Sequence, residues 1–89
     1  MQTDKIIRQL EILVNFLENS ENSIYAARSV WEIRAEICEI CRNISTPHSM
    51  EKLQILLAPT GDLQEISIDN GWGEEFLRIA SEIEILSGF

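Results

Sequence analysis

Apolar residues recur at three- and four-residue steps over most of this chain, the signature of amphipathic helices rather than strands. Ile6, Leu10, Leu13, Val14 and Leu17 form one such stripe and predict a first helix over about Asp4 to Glu18, with Thr3 placed to cap it. The polar stretch Glu18-Asn19-Ser20-Glu21-Asn22-Ser23 follows, rich in side chains that compete for backbone hydrogen bonds, and it reads as a short turn. A second helix is then predicted from about Ser23 to Asn43, antiparallel to the first because the connection is short.

The second helix carries two apolar stripes. Val30, Ile33, Ile37, Ile40 and Ile44 form one, and Ala27, Trp31, Ala35 and Cys38 form the other, which predicts a central helix contacted on two sides. Arg28, Glu32, Glu36 and Glu39 fall outside both and read as a solvated face, with Glu39 near enough to Arg42 for a weak pair. Arg34 lies between the stripes, placed to run its head out to water or to meet an acid of the last helix.

Residues 47–69 admit two readings. Thr46-Pro47 is a helix start signal, and Met50, Leu53, Leu56 and Leu57 keep helical spacing, which predicts a helix from Pro47 to Ala58. Asp62 and Glu65 then open a short helical turn over Leu63 to Ile68 in the manner of a capping box. The rival pairs Lys52–Leu57 with Gln64–Asp69 across the turn Pro59-Thr60-Gly61-Asp62, setting Leu53 opposite Ile68 and Ile55 opposite Ile66. The helix is preferred because a two-stranded hairpin standing alone is marginal. After the breaker Asp69-Asn70-Gly71, a last helix is expected from Trp72 or Gly73 to Leu86, with Trp72, Phe76, Ile79, Ala80, Ile83 and Leu86 on one face. The fold class is therefore all-α, a single domain over 1–89 of three long helices and one or two short ones, with α+β carrying a hairpin at 52–69 as the alternative.

Composition narrows the function more than the fold. At 89 residues with 45% apolar and 25% charged side chains, the chain suits one compact domain and leaves little room for a deep active site. A net charge of −8 with only seven Lys and Arg opposes nucleic acid and anionic membrane as partners and favours a basic protein. No signal-peptide core or membrane-spanning run is evident, which predicts a cytoplasmic, unanchored chain. The charge is uneven. From Leu57 to Phe89 seven acids face the single Arg78, so a net −6 sits in the last third.

No chemistry-bearing motif accompanies it. Cys38-Glu39-Ile40-Cys41 is a C-x-x-C, but in mid-helix it lacks the helix N-terminus that activates a redox thiol, and His48 is the only other candidate zinc ligand of its kind. Buried cysteines acting as small hydrophobes are the expectation, with no catalytic residue, cofactor or metal. Glu74 and Glu75 suit the first turn of the last helix, where the helix dipole favours negative charge. Trp72 opens the core stripe of that helix; were it exposed, it would be an aromatic anchor ringed by Asp69, Glu74 and Glu75.

Leu57-Ala58-Pro59-Thr60-Gly61-Asp62-Leu63-Gln64-Glu65-Ile66-Ser67, followed by Gly71-Trp72-Gly73-Glu74-Glu75-Phe76, resembles the C-terminal signature of small bacterial helical proteins, some of which are similar to immunity proteins of toxin systems. The resemblance covers the last third and implies a bacterial protein that neutralises a partner. The expected function is a non-enzymatic protein-binding module, an immunity-type inhibitor that blocks a basic partner or cognate toxin through Glu65, Asp69, Trp72, Glu74 and Glu75. The alternative is a homo-oligomeric bundle in which the wide apolar helix two completes its core against a second copy.

Overall fold

The computed structural model describes residues 2–59 and 61–89 and is all-α. The described residues form five helices, α1 (Thr3–Glu18), α2 (Val30–Arg42), α3 (Pro47–Leu56), α4 (Asp62–Asp69) and α5 (Gly73–Ser87). Helix α1 packs against both α2 and α5, α3 lies on α2, and α4 lies on α5. No strand occurs among the described residues, so the hairpin reading of 52–69 is excluded; Thr60 of its proposed turn lies outside the described residues.

The core is built from the predicted stripes. Ile6, Leu10, Leu13 and Leu17 of α1 are fully buried, meeting Ile33, Ile37 and Ile40 of α2 and Phe76, Ile79 and Ile83 of α5 in one cluster with Leu53, Leu63 and Ile66. Burying each such side chain contributes about 1.5–3 kcal/mol, so the choice of faces follows from these positions. Thr46 caps α3 by accepting from the Ser49 N–H, with Pro47 at the first position, as the start signal predicts.

Other helix boundaries differ from the expectation for identifiable reasons. Helix α1 begins at Thr3 with Gln2 as its cap residue, so the Thr3 hydroxyl does not cap it. Helix α2 begins seven residues later than Ser23, at Val30. There Ser29 and Glu32 form a reciprocal capping box, and Asn22 Oδ1 accepts the Val30 N–H at 2.8 Å. Side-chain acceptors thus take the N–H groups that a longer helix would have used. The S-x-x-E spacing of Ser29 and Glu32 was legible in the sequence.

The α4–α5 connection decides the fate of Trp72. Gly71 adopts φ +82°, its N–H reaching the Ile68 carbonyl and the Trp72 N–H reaching the Ser67 carbonyl at 2.8 Å. Those two bonds and the left-handed residue make a Schellman turn, which ends α4 and points the next side chain back at the core. Trp72 is accordingly only 5% exposed, stacked on Phe16 with ring centroids 4.8 Å apart, and its indole N–H donates to Ser20 Oγ at 2.9 Å. Its place in the core is as the apolar stripe predicts, and the exposed-anchor role is ruled out. A Cβ on Gly73 would stand 3.2 Å from Ile68 Cγ1, so the second glycine lets α5 start close against α4.

Replacing Trp72 should reveal both contributions. Trp72→Ala is expected to cost about 3–5 kcal/mol by cavity formation. Trp72→Phe keeps the stacking but leaves Ser20 without its donor, with an expected loss nearer 1 kcal/mol. Urea denaturation followed by far-ultraviolet circular dichroism measures the difference, and near-equal losses in the two variants would contradict a separate role for the indole N–H.

Candidate functional site: a tethered loop with an apolar tip

Between α1 and α2 the chain runs through residues 19–29 without regular helix, yet it is tied at several points to α4 and the residue that ends it. Asn70 holds the Glu21 backbone from both sides, its Oδ1 accepting the Glu21 N–H and its Nδ2 donating to the Glu21 carbonyl, each at 2.9 Å. The Ser23 hydroxyl donates to Asp69, and the same oxygen accepts the Tyr25 N–H at 3.1 Å. Further on, Asp62 accepts the Ala27 N–H at 2.9 Å and the Arg28 Nε at 3.1 Å. Arg28 also bonds Glu36 of α2.

These ties have an order. Ser23 meets Asp69 and Ala27 meets Asp62, so the loop runs antiparallel to α4, and the chain between its two ties passes alongside Glu65. Asp62, Glu65 and Asp69 stand at i, i+3 and i+7 and share one face of α4. At the top of this arch Ile24 is 88% exposed and Tyr25 70% exposed. Two large apolar side chains are therefore presented to solvent by a segment whose backbone is fixed from beneath.

Electrostatics reinforces the ties. The Asp62 carboxyl is held below the usual carboxylate range, first by the Ala27 N–H, against an opposing effect of burial, and then by Arg28. Partial burial disfavours the Arg28 charge, and the bonds and charges of Asp62 and Glu36 more than reverse it, leaving its pKa above the ordinary value.

The acids singled out in the sequence thus divide. Asp62 is no capping residue: Gly61 occupies the cap position of α4, and the Asp62 side chain reaches the loop instead, where a backbone N–H and a guanidinium are better partners than its own helix. Asp69 is engaged by Ser23, and Trp72 is buried beneath Ser20. Glu65 is half-buried beside the arch, while Glu74 and Glu75 lie in the first turn of α5; among the described residues no ion pair engages any of these three. Asp69 and Trp72 are therefore brought together with Asn70 as scaffold, and the large apolar side chains that the loop itself exposes are Ile24 and Tyr25. Sequence reasoning missed this pair by placing it in a longer α2.

The other chemical candidates separate. Cys38 is exposed rather than buried, and Cys41 is half-buried, its pKa raised by burial and by the neighbouring Cys38 and Glu11. The outward placement of Cys38 follows from the second stripe of α2 finding no helix to cover it. His48 is exposed in the first turn of α3. Among the described residues no group of three or more His, Cys, Asp or Glu side chains is disposed to hold a metal ion. Among the described residues no helix is long and apolar enough to cross a membrane.

Comparison of the chain with protein-family models, with curated proteins and with solved structures returns no match.

The ties predict a local acid sensitivity. Because folding lowers the Asp62 pKa, its stabilising contribution is complete above the unfolded aspartate value of about 3.9 and is lost as pH falls through the lower folded value. Asp62→Asn should be less stable than wild type near neutrality, and the gap should close as pH drops below about 4. Urea melts across that range measure it. Hydrogen exchange at neutral pH should show faster exchange of the Ala27 amide in Asp62→Ala, with the central amides of α5 unchanged; protection retained at Ala27 would mean that the tie does not hold the loop.

Proposed function

We propose that this chain is a non-enzymatic protein-binding module that engages a basic partner through the tethered loop. The observation that supports this most directly is the exposed Ile24-Tyr25 pair on a backbone held by Asp62, Asp69 and Asn70. A fixed loop loses little conformational freedom on binding, so an aromatic and an aliphatic side chain at its tip can contribute most of their burial to affinity. Glu21 is exposed on the same loop, and Glu65 lies on the α4 face to which the loop is tied, which adds negative charge on the tip's flanks. Such charge draws a basic surface towards it and speeds encounter more than it tightens the final complex. Glu74 and Glu75 extend the acidic field on α5. The resemblance in the last third implies a bacterial protein that neutralises a partner, and the acidic charge would suit such an inhibitor to the nucleic-acid- or nucleotide-binding cleft of a cognate toxin.

Affinity capture from the source cells with wild type, Ile24→Ser/Tyr25→Ser and Glu65→Lys/Glu74→Lys/Glu75→Lys as baits tests the reading. A single basic protein retained by wild type, lost with the loop variant and recovered less with the charge variant in a salt-dependent way is expected. Equal recovery of the same partner by all three baits would overturn it.

A further inference from the structure

Helix α2 is apolar on two opposite faces, and only one of them is used inside the molecule. Ile33, Ile37 and Ile40 enter the core, whereas Trp31 is 71% exposed and Ala35 and Cys38 are exposed beside it. With Arg42, also exposed, these residues have spacings of four, three and four, an alternation that keeps a seam on one side of a helix. Beside the seam a groove of about 360 Å³ opens between α1 and α2, lined chiefly by Ile7, Val14, Cys38 and Cys41, with Glu11 and Arg42 as its charged members.

We propose that this face binds a second copy of the chain, forming a two-fold dimer through antiparallel α2 helices. The seam reads alike from either end: residues 31 and 42 and residues 35 and 38 are symmetric about one midpoint. An antiparallel pairing about that midpoint sets Ala35 against the partner copy's Cys38, two small side chains that let the helices approach closely. The same pairing sets Trp31 against the other copy's Arg42 at the mouth of its groove, about 16 Å along the helix from Trp31 itself. A two-fold axis makes every such contact twice, as an isologous interface requires. Trp31 already carries Arg34 over its ring at 5.6 Å, and the second guanidinium would take the face left open.

Charge selects this occupant. Two chains of −8 repel each other over most of their surface, and residues 47–89 alone carry eight acids against Lys52 and Arg78. The groove is balanced, with Glu11 opposed by Arg42, so two copies can meet here without stacking like charges. A strongly basic partner finds no excess of acid on this face and is better served by the loop. The inference goes beyond the proposed function and is independent of it, because α2 contributes its outward face here and the loop tip takes no part.

Sedimentation velocity on the full chain over a concentration series tests the proposal. Wild type should shift from monomer to dimer, with Ile24→Ser/Tyr25→Ser behaving alike, whether or not that variant still captures its partner. Ala35→Arg places a cation at the close approach and should raise the dissociation constant by roughly tenfold or more. Its circular dichroism should match wild type, since Ala35 is exposed. A Cys41→Ser chain, keeping Cys38 near the axis, should yield a covalent dimer with a short bismaleimide, and Ala35→Arg on that background should abolish it. A wild-type chain that stays monomeric into the hundreds of micromolar, leaving the groove to some other protein, overturns the proposal, as does an undiminished dimer in Ala35→Arg.

Discussion

Much of this molecule depends on the turn that buries Trp72. Gly71 takes a left-handed conformation open to glycine, and the two bonds across the turn return the chain so that the indole stacks on Phe16 and bonds Ser20. That single side chain joins the α4–α5 junction to the C-terminal end of α1. Once α4 is held there, its acidic face lies beneath the chain leaving α1, and Asp69, Asn70 and Asp62 can take the polar groups of the loop. The loop conformation thus rests on a core contact as well as on the local bonds of Asn22, Ser23 and Ser29.

The distribution of acid gains meaning from the same arrangement. A cluster of carboxylates invites reading as a binding surface, but part of this one is internal wiring. Asp62 and Asp69 take up donors of residues 23–28 at long range in sequence: the Ser23 hydroxyl, the Ala27 N–H and the half-buried Arg28 Nε. Glu36 and Glu39 serve likewise, pairing with Arg28 and with Lys52 of α3 at 3.7 Å rather than with Arg42 on the same helix. Arg34 meets Glu18 of α1 at 3.3 Å and not an acid of the last helix. In the acidic last third, Glu65, Glu74, Glu75, Glu82 and Glu84 enter no ion pair among the described residues.

The loop tip and the outward face of α2 each place large apolar side chains in solvent, Ile24 and Tyr25 on the first and Trp31 on the second. The two exposed regions differ in character. The loop tip is flanked by acid and tethered by side chains, whereas the α2 seam is charge-balanced and rests on a regular helix. The first carries the proposed engagement of a basic protein and the second the proposed pairing of two copies of the chain.

The helix-forming stripes, the Thr46-Pro47 start and the core positions of α1 and α5 were legible in the sequence because each depends on neighbours three or four residues away, within reach of one helix. The all-α class followed from them. The true start of α2 was written locally, in the Ser29-x-x-Glu32 spacing and the Asn22 acceptor, whereas the tie of the loop to α4 and the duties of Asp62, Asp69 and the Trp72 indole were not legible, because they rest on bonds spanning 34 to 52 residues. Periodicity marks the second stripe of α2 as apolar but is blind to whether another helix covers it. Only the packed structure decides that: α1 and α3 flank α2, its outward face stays bare, and an apolar pattern that reads as core in one dimension becomes surface in three.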